Sequence, residues 1–223
     1  MRLSVVIPAL NEAAVIPELL HALAPLRQAG HEVIVVDGGS RDATTAIAAP
    51  LADRVLTAPR GRAVQMNAGA AGATGALFWF LHADTVPTRE ALAAMRAMAA
   101  DERIWGRFDV FIEGESRWLP VIARGMNLRS RFSGVATGDQ GIFVSRELFE
   151  TVGGFPPIAL MEDVAISRLL RRRQAPLCLR QTIRTSGRRW ECRGVWRTVL
   201  LMWRLRLAYF LGADPESLAR SYR

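Results

Sequence analysis

Four acidic groups occur along the chain in an order that places them beyond apolar segments. The run Leu3–Ile7 is followed by Pro8, Ala9, Leu10, Asn11 and Glu12. The run Glu32–Val36 is followed by Asp37, Gly38, Gly39, Ser40, Arg41 and Asp42. The run Leu77–Leu81 is followed by His82, Ala83, Asp84 and Thr85, and Glu162-Asp163 comes much later. In an open α/β sheet, ligands bind beyond the carboxyl ends of the strands, so three such ends describe one cleft. The groups there suit a ribose, a metal-bound diphosphate and a reacting hydroxyl. Together they point to transfer of a sugar from a nucleotide donor.

Each position has a chemical reading and a structural one. Asp37 can accept hydrogen bonds from a base or ribose, or serve the turn before Gly38-Gly39. Asp84 ends a very apolar strand. A carboxylate there can hold a divalent cation, Mn2+ or Mg2+, that offsets diphosphate charge, or it can cap the turn before Pro87. His82, two residues earlier, shares that face of the strand as a ligand, a phosphate donor or a plain strand-end residue. Arg60 and Arg62 stand at the start of a small-residue helix, where phosphates bind well, with Asn67 in its body. Pro8, Ala9, Asn11 and Glu12 complete the expected donor-binding set. Glu162 and Asp163 open a helix, where acids are favourable on dipole grounds alone, and are the candidate general bases. Asp139 is a candidate for orienting the acceptor. Arg188, Arg189 and Trp190 read either as a group holding a diphosphate or acceptor, or as a surface loop with an aromatic anchor.

The elements that must position these residues follow from periodicity. Strands are expected at residues 3–7, 32–36, 54–57 and 77–81. Helices are expected from about Pro17 to Gly30, from Asp42, over residues 61–73 and from the cap Thr88 to about Ala100, with Asn11 available to cap the first. This β-α-β-α-β-α-β-α order marks an α/β fold with a doubly wound, mostly parallel sheet. Beyond it lie a strand at 104–112, a basic helix at 116–132 interrupted at Gly125, a strand at 141–144 and a short helix at 146–152. A helix at 162–173, an extended segment at 177–184 and a long helix Arg193–Leu211 complete the chain. No linker interrupts it. A single domain is expected, with residues 1–101 as the nucleotide half and 102–223 as the acceptor half.

With 223 residues, half of them hydrophobic, the chain is long enough for one globular core. The first strand begins almost at Met1, which leaves no expected signal peptide, and no segment reads as a membrane span. Cys178 and Cys192 fit a reducing cytoplasm with both thiols unpaired. All 29 basic residues are Arg, and residues 102–223 hold 21 of them against 12 acids. Arginine forks suit phosphates. On the last helix Arg193, Arg197 and Arg204 share a face among Trp196, Trp203, Tyr209 and Phe210, while Arg206 falls off that stripe. Such a helix suits the anionic inner face of a membrane near a lipid-linked or phosphorylated acceptor, packing on its own domain, or a homodimer contact. Arg117, Trp118, Arg124, Arg129 and Arg131 offer a second basic surface.

The motifs carry a resemblance. Residues 5–12, residues 35–44 and Glu162-Asp163 are similar to the blocks of family 2 glycosyltransferases of the GT-A fold. Residues 60–70 and 81–85 resemble those of a small soluble bacterial subgroup. The resemblance implies that Asp37 binds the nucleoside, Asp84 a divalent metal, and Asp163 acts as the base of an inverting displacement. Gly38 replaces an acid often found in the second block, and His82 replaces the first acid of the usual Asp-x-Asp metal motif. Ser186 stands where processive members carry Gln, which argues against polymer synthesis. Two other classes compete. A sugar-phosphate nucleotidyltransferase would carry a Gly-rich basic loop after the first strand, which Pro8–Glu12 is not. An anion- or RNA-binding protein would leave the acidic cleft unexplained, so no nucleic-acid partner is expected.

Overall fold

The structure is a computed structural model that describes residues 2–98 and 104–222, and of Arg189 the backbone alone. The first half runs β1 (Leu3–Ala9), α1 (Ile16–Gln28), β2 (Glu32–Asp37), α2 (Thr44–Leu51), β3 (Arg54–Thr57), α3 (Arg62–Gly72), β4 (Leu77–Phe80), β5 (Thr85–Pro87) and α4 (Arg89–Ala97). The second runs β6 (Trp105–Glu113), α5 (Leu119–Ser133), β7 (Phe143–Ser145), α6 (Arg146–Thr151), α7 (Glu162–Arg171), β8 (Leu177–Ser186), α8 (Arg188–Arg193), α9 (Val195–Phe210) and α10 (Pro215–Tyr222). Among the described residues the strands form one sheet in the order β3-β2-β1-β4-β7-β6-β8-β5. The pairs β3-β2, β2-β1, β1-β4 and β6-β8 are parallel, and β7 and β5 join antiparallel.

Successive side chains of a strand point to opposite faces, and both faces of a parallel sheet are covered, so its strands read as continuous apolar runs. Val5, Ile7, Val33, Val35 and Trp79 enter the core beneath α1, α2 and α4. Val6, Ile34, Val36, Phe78 and Phe80 enter the opposite core, with residues of α3, α6 and α7. Helix α3 lies so close that a Cβ on Gly69 would stand 2.3 Å from Val6 Cγ1 and 2.9 Å from Val36 Cγ2. Gly69→Ala is therefore expected to destabilise the chain by about 1–3 kcal/mol through overpacking. Calorimetry would read a drop in Tm of roughly 2–4 °C per kcal/mol. A raised Tm would mean that alanine's helix propensity outweighs the clash.

Several local expectations need correction. Asn11 does not cap α1, whose N-cap is Val15; its side chain instead accepts the Arg41 amide at 2.8 Å. The basic helix is not broken at Gly125, because packing of Leu119, Ala123 and Ser130 carries α5 through that exposed glycine. The segment around Arg188 is a helix rather than a loop. The expected helix Arg193–Leu211 is present as α9, which starts after Gly194, whose φ of +83° is left-handed, so that Arg193 ends α8 instead. Strand β5 and helix α10 were not expected, and the stretch near Ala100 lies outside the described residues. Thr88 does cap α4, accepting the Ala91 amide at 3.2 Å. Cys178 and Cys192 are free. Among the described residues no helix is long and apolar enough to cross a membrane.

Candidate active site

The ends of β1, β2 and β4 meet at one edge of the sheet, and side chains bind their loops together. The Asn11 amide donates to Ser40 Oγ at 2.9 Å, the Glu12 amide to Thr44 Oγ1 at 2.8 Å, and the Ala13 amide to Asp42 at 3.1 Å. Asn11 itself has φ +56°, a left-handed conformation that asparagine tolerates better than most residues. Buried Gln65 donates to Ala9 O at 2.9 Å and Val36 O at 2.8 Å, clamping β1 to β2. Asp37 is buried, and its carboxylate accepts the Gly39 amide at 2.9 Å and the Ser40 amide at 3.0 Å. Asn67 both donates to Phe155 O at 2.8 Å and accepts the Phe155 amide at 2.9 Å. Asn11, Asp37, Gln65 and Asn67 thus shape the loops from which reacting groups project.

The groups themselves line a cleft of about 260 Å³. Pro8 and Glu12 come from the β1 end, Arg62 from the start of α3, and His82 and Asp84 from beyond β4. Asp139, Glu162 and Asp163 face them, with Arg188 and Trp190 from α8. A second hollow of about 710 Å³ adjoins it, where Ala9 and Arg60 join Pro8, Glu12 and Arg62. The side chain of Arg189, expected to act with Arg188 and Trp190, lies outside the described residues.

A short 3-10 turn, residues 138–140, brings the two halves of the cleft together. Gln140 anchors it to α5 through Ser130 Oγ at 2.9 Å, and Trp79 Nε1 donates to Gly141 O at 3.2 Å. The Gly138 amide donates to Asp163 Oδ2 at 2.9 Å, and His82 Nδ1 lies 3.3 Å from Asp139 Oδ1. Only glycine fits at 138, because a Cβ there would stand 2.3 Å from His82 Nε2. On the far side, Met161 takes a left-handed φ of +70° to open α7. Such strain persists in a methionine only where surrounding packing fixes it. Val135, Leu160, Val164, Leu205 and Leu218 supply that packing, in one buried cluster with Met161.

The charges are strongly coupled. Burial raises the Glu162 carboxyl above the ordinary range, and the Asp163 charge raises it further. Arg62 Nη1 stands 3.6 Å from Glu162 Oε1. Burial works against the charge of Arg62, but Glu162, Asp139, Asp163 and Asp84 outweigh it and hold its guanidinium protonated. Burial also opposes a charged His82, yet the Asp139 hydrogen bond and the Asp139 and Asp84 charges raise its pKa. Glu12 is raised by burial and then by Asp84. This is a cleft in which carboxylates are held at unequal proton affinity around a central arginine, an arrangement that separates acid from base roles.

Among the described residues no three His, Cys, Asp or Glu groups form a metal cage. The donors nevertheless fit one hard cation shared with a substrate. Among the described residues, Asp84 lines the cleft with no ion pair, and its carboxylate accepts only a 3.4 Å contact from Thr85 Oγ1. Mg2+-type sites commonly take one or two carboxylates and complete their shell with phosphates and water.

Residues the sequence reading did not assign to the site come from the C-terminal elements. Thr198, Met202, Leu205 and Arg206 of α9 and Tyr222 of α10 line the cleft. The signal for Arg206 was its position off the Arg197–Arg204 stripe, which turns it inward.

The model of glycosyl transferase family 2 matches residues 4–153. A Mycobacterium tuberculosis protein named PGL/p-HBAD biosynthesis glycosyltransferase is 33% identical over 165 residues, covering 68% of this chain and 62% of that protein. The chain thus spans less than two thirds of the curated relatives it matches. A mannosyltransferase from Pyrobaculum calidifontis, solved with GDP-Man and Mn2+, superposes with a TM-score of 0.67 at 22% identity, covering 93% of this chain and 61% of that one. S. aureus TarS 1-349 in complex with UDP-GlcNAc gives 0.64 at 20% identity, covering 83% and 58%. These two share the fold. With two thirds of its length under the family model and the motif loops at one sheet edge, the chain belongs to glycosyl transferase family 2.

Proposed function

We propose that the chain transfers a sugar from a nucleoside-diphosphate donor to an acceptor hydroxyl by an inverting displacement. The observation that carries this is the single cleft in which Glu12, Arg62 and Asp84 face Glu162, Asp163 and Asp139. The donor lies along residues 1–101, with its nucleoside near the loop ordered by Asp37 and its diphosphate toward Arg60, Arg62 and Asp84. Arg188 and Trp190 close over it from α8. Asp84, with Glu12 lining the same cleft, would hold a divalent cation. When bound, the cation offsets negative charge on the leaving diphosphate.

Asp163 takes the proton of the attacking hydroxyl as the bond to the sugar forms. Its oxygens accept the Gly138 amide and, at 2.7 Å, the Val164 amide, which fix the carboxylate while leaving further lone pairs for the acceptor. Arg62 stabilises the charge developing on the leaving group, and His82 with Asp139 holds the turn from which the acceptor is oriented. A thermal-shift screen of UDP-, GDP-, TDP- and CMP-sugars, with and without Mn2+, tests the donor. One class should raise Tm, and more so with the ion. Indifference to all four would contradict the reading.

The acceptor side supports a peripheral position on an anionic bilayer. Trp196, Leu200, Trp203, Leu207 and Phe210 form an exposed stripe along α9, joined at its start to the exposed face of α5 by the Trp118–Trp196 ring contact at 5.0 Å. Phe132 of α5 is 88% exposed. Residues 116–138 and 192–213 hold no acid, and five of their arginines, Arg117, Arg124, Arg193, Arg197 and Arg204, are exposed. Exposed Trp and Leu flanked by cations alone complement anionic lipid. Vesicles containing 30% phosphatidylglycerol should pellet the protein, and Arg197→Glu with Arg204→Glu should abolish this. Pelleting unaffected by salt or by those changes, or a dimer with no pelleting, would make the face a protein contact.

A further inference from the structure

The inner faces of α5 and α9 carry two arginines that have no carboxylate partner among the described residues. Arg129 buries Nε and Nη2 with no hydrogen-bond partner for either. Arg206 lines the cleft and makes no ion pair among the described residues. Its charge, after burial, is what most lowers Arg129, to about 10. The acids that face the pair are engaged elsewhere. Asp163 accepts backbone amides, and Asp139 is bound to His82.

Two neighbouring guanidiniums, one with buried unsatisfied nitrogens, are unfavourable unless an anion completes them. Guanidinium forks match the oxygens of phosphate, two at a time. The place is specific, because Arg206 shares the cleft with Asp163, beside an apolar wall of Met202 and Leu205. We infer that Arg129 and Arg206 form an acceptor subsite that receives a phosphate-class anion attached to the molecule whose hydroxyl is glycosylated. This rests on the transferase reading of the cleft. The anion places the acceptor hydroxyl toward Asp163 and away from the donor diphosphate, which Arg62 and Asp84 hold on the opposite wall. The apolar wall and the outward Trp-rich faces of the same two helices suit a phosphate carried by a lipid as well as a soluble phosphate ester.

The test uses the full chain and two probes in calorimetry: glycerol 1-phosphate in solution, and phosphatidic acid in dodecylmaltoside micelles against phosphatidylcholine in the same micelles. At least one phosphate probe should bind, and Arg129→Gln or Arg206→Gln should weaken it at least tenfold. Arg129→Lys should retain part of the affinity. Arg96→Gln, which removes the same charge from the exposed face of α4, should change nothing. The Tm of Arg129→Gln should equal or exceed that of the parent, since an unsatisfied buried group is lost. Binding of the soluble ester identifies a free acceptor, and binding of phosphatidic acid alone a lipid-linked one. The inference is overturned if neither probe binds, if affinity is the same in both glutamine variants, or if Arg129→Gln only lowers Tm. Nucleoside-diphosphate binding is measured in parallel and should be unchanged in the variants. If it is missing from the parent while the probes still bind through Arg129 and Arg206, the subsite stands and the transferase reading fails.

Discussion

Asp163→Asn is expected to cut turnover about a hundredfold or more while leaving donor affinity nearly unchanged. The carboxamide keeps the volume, and its oxygen can still accept one of the two backbone amides now bound by the carboxylate. What it loses is the ability to take a proton from the acceptor. The effect should therefore fall on the chemical step, visible as a lower kcat at constant nucleotide affinity. Should affinity fall while turnover per bound donor holds, Asp163 would be an anchor for Gly138, and Glu162 would become the base. Glu162 is a weaker candidate on geometry. It is buried, paired with Arg62, and its carboxyl is raised by burial and by the Asp163 charge.

Asp84→Asn should abolish cation-dependent binding of the donor nucleotide, with no loss of folding. Asp84 makes no ion pair among the described residues, so its removal strands no buried partner there. Removing a negative charge beside Glu12 should also ease the strain on that neighbour, whose carboxyl Asp84 helps to raise. Calorimetric titration of the nucleoside diphosphate with and without Mn2+ reads the difference directly. The parent should gain at least tenfold in affinity from the ion and the variant should gain none. An equal gain in both would move the cation elsewhere in the cleft.

The strand ends were legible because buried parallel strands must be apolar, so a polar group at their carboxyl end stands out. Asp84 after Leu77–Leu81 is the clearest case. The roles within the loops were less legible, because asparagine, aspartate and glutamine bind backbone and ligand with the same atoms. Asp37 and Asn67 are engaged with Ser40 and Phe155, and no periodicity announces which partner a side chain will take. The turn at Gly138 depends on a contact with His82, more than fifty positions away, that spacing cannot reveal. The C-terminal wall was hidden for a different reason. An Arg- and Trp-rich helix reads as a surface, yet its two faces do separate work: Trp203 and Phe210 face outward while Leu205 is buried and Arg206 enters the cleft.

The most direct measurement is proton NMR of the full chain incubated with Mn2+ and the nucleotide sugar chosen by the screen, with water standing in for the acceptor. The anomeric proton of the donor should disappear as nucleoside diphosphate forms, and the first sugar released should carry the opposite anomeric configuration. That release should be lost in Asp84→Asn and strongly slowed in Asp163→Asn. A donor left intact with every nucleotide, or a first product that retains the donor's configuration, would contradict sugar transfer by inverting displacement at this cleft.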